Sequence, residues 1–341
     1  MSQSSNQQPI LSHERITLWL VRGLLALLLM LAVEVLFWND PGGRELYEWP
    51  ILLVGYLVLA TIVPDLLVRY RVRDIWGVMA VVGLVCALNG LFLNPQSALA
   101  DGAQTLLSRT LGAYWFISLE MVGVFLVLLG GHPWSNRRPL LIGAFVVGFF
   151  WAVWVKWYPA FFPGAYRAVT IYELFQMLAI FVLPTLVLAL IVRRRTPAFV
   201  EHFRIPWQGY AVAGLLAMLL LIYQTLQNRY VDAIGIVLSL IVVGVLWAML
   251  WFRADTQKPP LLATYLSEKP IPLWWLLLTL AAFIGMALFG FATDTLVNLF
   301  GLNQFTLLHL VFTLIGAGWI PLTAAVIGIR GITRQMQMRG Y

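Results

Sequence analysis

The sequence predicts an all-α polytopic membrane protein, a bundle of about ten transmembrane helices with no extramembrane domain. Three observations carry this. The 341-residue chain is 61% hydrophobic and only 11% charged, whereas soluble domains average about 45–50% apolar and 25% charged. Its apolar residues fall into ten runs, each near the length of about 20 residues that a hydrocarbon core requires. Cations, finally, collect in alternate connections between those runs, the pattern that retains loops on the cytoplasmic side.

The runs cover residues 16–38, 49–68, 75–93, 108–129, 139–157, 171–192, 207–225, 231–252, 272–291 and 305–329. Most are apolar all round, as lipid-immersed helices are, and none shows the sustained alternation of a barrel strand. The first run exceeds the 7–15 apolar residues of a secretory signal, and no small-x-small cleavage site follows before Trp38, so it is expected to stay as a helix. Residues 1–15 read as a polar, disordered cytoplasmic tail, 16–329 as one transmembrane domain and 330–341 as a short basic cytoplasmic tail.

Orientation follows from the loops. Arg15, Arg69, Arg71, Arg73, Arg137, Arg138, Arg193 to Arg195, Arg204, Arg253, Lys258, Lys269, Arg330, Arg334 and Arg339 make 16 cations on one side. The other side has 5: Arg44, Arg109, Lys156, Arg167 and Arg229. Both termini are therefore expected in the cytoplasm of a bacterial-type inner membrane. The net charge of +7 belongs to these loops and is no nucleic-acid signal. A single cysteine, Cys86, excludes an intramolecular disulfide framework and a Cys-based metal site. No metal or cofactor is expected. The expected partners are the lipid bilayer and a small-molecule or lipid ligand, with other membrane proteins as an alternative.

Tryptophans fall at the run ends. Trp19, Trp76, Trp134, Trp207, Trp251, Trp274 and Trp275 read as a cytoplasmic belt, and Trp38, Trp49 and Trp157 as an outer one. Residues 157–164 form an outer loop too apolar to be fully solvated, and residues 261–266 predict a short interfacial helix inside the loop 253–271. The two halves of the chain show no convincing repeat.

Ionisable groups at membrane depth are costly and are candidates for function. Some have simpler readings. Arg22 is close enough to its helix end to snorkel out, and Asp65 stands four residues before Arg69, the spacing of a helical ion pair. The rest fall mostly on the outer half: Glu34, Asn89, Arg109 and Lys156 near run ends, Glu173 and Gln176 on one face of the sixth run, and Gln304, Thr306 and His309 at the start of the last. Together they predict a wet outward vestibule. His309 is the only histidine in a membrane segment, which excludes a bis-histidine haem within the chain. Glu120 stands apart near the centre of its run, eleven residues after Arg109, about 16 Å along the same helix face. It is either a packing acid or the charge-changing group of a pathway. Pro184 and Pro321 lie inside runs, where proline breaks the hydrogen-bond ladder, a device transporters use at binding sites.

No P-loop, nucleophile elbow, His-Glu-x-x-His or acidic metal cluster occurs in the sequence. The leading expectation is a transporter or channel-like protein for a small solute or lipid-like molecule. A non-catalytic subunit of a larger membrane complex and a membrane enzyme acting on a lipid or polyprenyl substrate are the alternatives. The orientation is checked by single-cysteine labelling in a Cys86→Ser background in intact cells. An impermeant thiol reagent should modify a cysteine placed at Gln96 and leave one at Asn136 untouched; the opposite pattern inverts the topology.

Overall fold

The protein is described by a computed structural model over residues 12–37, 45–95, 99, 102–130, 134–157, 170–192, 200–226, 233–253, 259–266, 272–292 and 304–338. Helix α1 (Ser12–Met30) continues into a π-helical turn, Leu31–Leu36, and is followed by α2 (Glu48–Arg69) and α3 (Ile75–Phe92). A short turn, Ala103–Thr105, leads through a second π-helical stretch, Leu106–Tyr114, into α4 (Trp115–Gly130). Then come α5 (Trp134–Trp157), α6 (Ile171–Val192), a 3-10 turn Val200–Phe203, α7 (Trp207–Leu226) and α8 (Ala233–Arg253). A short α9 (Leu261–Leu266), α10 (Leu273–Ala292) and α11 (Gln304–Met338) complete the chain. There is no strand among the described residues.

A long helix lies over each apolar run, and among the described residues eight are long and apolar enough to cross a membrane. The helices α5 and α6 contribute shorter apolar stretches, Arg138–Ala152 and Leu178–Val192. Two boundaries differ from expectation. The helix α1 starts at Ser12, inside the segment read as a tail. At the other end α11 runs 35 residues to Met338, past the predicted end of the last run. Its polar final turns are good helix formers, and Arg330 is tied to Asp74 at 2.7 Å. The predicted short helix at residues 261–266 is present as α9, its first amide donating to the Val72 carbonyl at 2.7 Å. The tail 1–11, the outer loop 158–169 and the side chains of Lys156, Glu173, Gln304 and Thr306 lie outside what is described.

Helices α1 to α4 form the centre, with about seven-tenths of their apolar windows buried, whereas α7, α8, α10 and α11 bury far less. Those outer helices present Val212, Leu215, Ile241, Leu277 and Leu314 to the outside. An apolar face of that extent needs a nonaqueous cover, which is compatible with a membrane protein.

Contacts in the bundle are made by close backbone approach. At Gly112 and Gly316 a Cβ would fall on the carbonyl oxygens of Phe312 and Leu107, so α11 sits directly on the π-helical stretch. The pairing of α5 with α10 uses Gly148 against the Phe283 carbonyl and Gly290 against that of Phe149. The wide π turns also present carbonyls sideways. Trp319 Nε1 donates to Leu111 O at 2.9 Å while its ring stacks on Trp115 at 4.6 Å, and Trp151 Nε1 donates to Val35 O at 3.1 Å. Trp275, assigned to the belt from sequence, faces inward and is 2% exposed, because α10 turns that side onto α5 and α6. Gly316→Val should therefore force α11 off the π stretch and cost about 1–3 kcal/mol, read as a lowered melting temperature. Gly328→Ala, where nothing lies within contact of a new Cβ, should leave it unchanged or raise it slightly, because Ala is the better helix former.

Candidate functional site

The polar groups inside the bundle fall into four separate places. The first surrounds Glu34, held inside by the π turn of α1 and fully buried. Tyr56 of α2 donates its hydroxyl to Glu34 Oε1 at 2.6 Å, and Asn94 Nδ2 donates to the same oxygen at 2.7 Å. Asn89 of α3 closes the ring: its Nδ2 donates to the Tyr56 hydroxyl at 2.9 Å and its Oδ1 accepts from Asn94 at 2.9 Å. All four side chains are buried, so this network is a closed clasp between α1, α2 and α3.

The second lies at the arginine-rich end. Asp65 is fully buried and accepts from Arg69 Nε and Nη2, both at 3.0 Å, as the i,i+4 spacing predicts. It also takes the Ile205 amide at 2.6 Å and the Tyr210 hydroxyl. Arg69 Nη2 donates on to Ile205 O at 2.7 Å, so the pair fastens α2 to the entry of α7. Pro64, immediately before, removes one ladder bond to α2 there. Arg22 does not snorkel out. It is 8% exposed and lies over the Trp19 ring at 5.1 Å.

The third is small. Arg109 and His309 line one cavity of about 10 Å³, with Ser108, Tyr114, Phe37 and Phe312 as the other walls. Gln104 Nε2 lies 3.3 Å from His309 Nε2, bridging the start of α11 to the short turn that precedes the π stretch. Gln176 is exposed on α6.

Glu120 makes the fourth. Its carboxyl group rests on Gly143 of α5, where a Cβ would collide with it. It borders a cavity of about 160 Å³ between α1, α4, α5, α6 and α10. The other walls are apolar apart from two hydroxyls, Thr185 beside Pro184 and Thr279, which donates back to Trp275 O at 2.9 Å. Glu120 Oε1 is buried and has no hydrogen-bond partner among the described residues. No group of three metal-ligating side chains occurs among the described residues.

The structure therefore brings Arg109 and His309 together, and separately Glu34 and Asn89, while Glu120 stands in a chamber of its own. Tyr56, Asn94 and Tyr210 were not singled out from sequence. Hydroxyls and amides inside apolar runs were the available signal, but apart from the Asn94–Asn89 contact their partners are 22 to 145 residues away. Comparisons with protein-family models, with curated proteins and with solved structures give no match, so the reading rests on these residues alone. Tyr56→Phe removes one donor from Glu34 and one acceptor from Asn89 and should cost about 1–3 kcal/mol in thermal or denaturant unfolding. Tyr172→Phe, on an exposed ring, should cost nothing measurable.

Proposed function

We propose that this chain crosses a bacterial-type cytoplasmic membrane about ten times with both termini inside, and moves a small solute or lipid-like molecule through the bundle. In this reading Glu120 is the group that changes charge during the cycle. One observation carries it: a carboxyl group near the centre of the apolar run 108–129, with Oε1 unpartnered among the described residues, bordering an otherwise apolar chamber. Such a group is expensive and adds nothing to packing that Leu or Met would not supply. A carboxylate is tolerated there only when a cation or water accompanies it, so charge and occupancy are linked. The chamber, at about 160 Å³, is close to the cavity of about 150 Å³ that admits benzene in an engineered protein. It suits a small apolar solute or the apolar end of an amphiphile. Arg109, Gln104 and His309 form a separate polar cluster on a small cavity that shares no wall with the chamber, and in this reading it is where a solute is first met. Pro184 weakens α6 beside Thr185, where one wall of the chamber has to move.

The two alternatives find less support. A subunit reading predicts an exposed flank of small residues, for which Gly235 and Ser239 of α8 are the candidates, yet Gly235 packs on Leu99 and Ser239 is fully buried. An enzyme needs a second reacting group, and among the described residues no other ionisable side chain borders the Glu120 chamber.

The test uses the full chain in liposomes under an imposed pH gradient, with a dansylated amine and a fluorescently tagged phospholipid as probes. Wild type should move one of them in a gradient-dependent way. Glu120→Gln should lose that movement at least tenfold with an unchanged melting temperature, and Glu120→Leu should fold as well or better. If Gln behaves as wild type while Leu unfolds, Glu120 is a packing residue and the transport reading fails.

A further inference from the structure

A second, larger cavity lies away from Glu120, between α2, α3, α7 and α8, with a volume of about 650 Å³. That is within the about 300–1,000 Å³ of ligand pockets. It exists because α7 and α8, though consecutive, each pack on α3 and barely on one another among the described residues. The wedge between them stays open. Its walls are Leu, Ile, Val, Phe and small residues, and its polar groups are gathered at one end: Arg69, Tyr70 and Tyr210, with Trp247 and Trp251 beside them.

From this arrangement we infer that the wedge is a binding site for one anionic phospholipid drawn from the leaflet at the arginine-rich end. Length is the first argument. The lining along α7 runs from Tyr210 to Leu220, about 15 Å at 1.5 Å per residue. That is half of the hydrocarbon core of about 30 Å, the depth one leaflet's chains reach. Gln224 closes the deep end by donating to Leu93 O at 3.0 Å.

Charge at the mouth is the second. The Asp65 carboxylate uses Arg69 Nε and Nη2, and Arg69 Nη1 makes no hydrogen bond among the described residues, with the side chain 39% exposed. Arg22, which does not line the wedge, is a second cation acting on the same carboxylate. Tyr70 accepts the Trp247 indole N–H, and its own hydroxyl hydrogen has no acceptor among the described residues. A guanidinium nitrogen and a phenol hydroxyl are donors suited to a phosphodiester. The Trp247 and Trp251 rings are both exposed beside these donors, and indoles favour the level where headgroup meets acyl chain.

Gly214 gives the site a clean test. It lines the wedge, and a Cβ there would meet nothing within 4 Å. Gly214→Leu fills the acyl position without disturbing protein contacts, and Ala217→Phe does so one turn on. The delipidated full chain is titrated with phosphatidylglycerol or phosphatidylcholine and read by native mass spectrometry, with the melting temperature measured alongside. Wild type should hold one phosphatidylglycerol at least tenfold more tightly than phosphatidylcholine. Gly214→Leu should lose that lipid with an unchanged or raised melting temperature in its absence. Arg69→Lys, which keeps the charge but loses the fork, should lower the headgroup preference while keeping acyl binding. Equal retention of both lipids by wild type, retention of neither, or unaltered binding in both Gly214→Leu and Ala217→Phe overturns the assignment. None of these outcomes depends on Glu120, so the site stands or falls separately from the transport reading.

Discussion

A polar side chain folded into an apolar bundle has no water to fall back on, so it must find its partners within the protein. That constraint organises the centre of this molecule, and α2 shows it most plainly. Near its middle Tyr56 ties Glu34 of α1 to Asn89 of α3, and near its end Asp65 gathers Arg69, Tyr210 and the Ile205 amide. The two clusters are about nine residues apart along one helix, roughly 14 Å. They set the register of α1, α3 and the entry of α7 against the same strut.

Packing elsewhere depends on bringing backbones close. Gly112 against the Phe312 carbonyl and Gly316 against that of Leu107 let α11 lie on the π-helical stretch without intervening side chains. The π turns then present Leu111 O and Val35 O to the indoles of Trp319 and Trp151. Wide turns of this kind are local departures from ideal helix, kept where a tertiary contact compensates them. The two here flank the phenylalanine pair Phe37 and Phe312, whose rings meet edge to face at 5.1 Å.

Glu120 departs from the pairing rule with a carboxyl oxygen beside an open chamber, and that is why it carries the functional reading. The clasp around Glu34 is a buried ring of hydrogen bonds through Tyr56, Asn89 and Asn94, which suits a structural role. Glu120 instead has Gly143 beneath it and an apolar chamber in front. Both chambers arise at the periphery, where α6, α7, α8 and α10 lean on the central helices with wide faces turned outward. Helices that share little surface with one another leave space between them.

Composition and apolar run length alone determined that the chain is helical and apolar enough to cross a membrane. Those properties are additive along the sequence and need no knowledge of neighbours. The Asp65–Arg69 pair was legible for the same reason, since i,i+4 contacts are local. Glu120 was legible as an oddity, because a charge amid twenty apolar residues stands out without any structure. What the tertiary structure decided was which oddities share a site. Glu34, Asn89, Arg109 and His309 look alike in sequence, all near one end of their runs, yet two sit in a sealed clasp and two on a separate small cavity. The difference comes from how each helix is rotated about its axis. A run that is apolar on all sides carries almost no signal for that rotation. It is settled only when glycines, indoles and hydroxyls distant in sequence meet, as Gly316 meets Leu107 and Tyr210 meets Asp65.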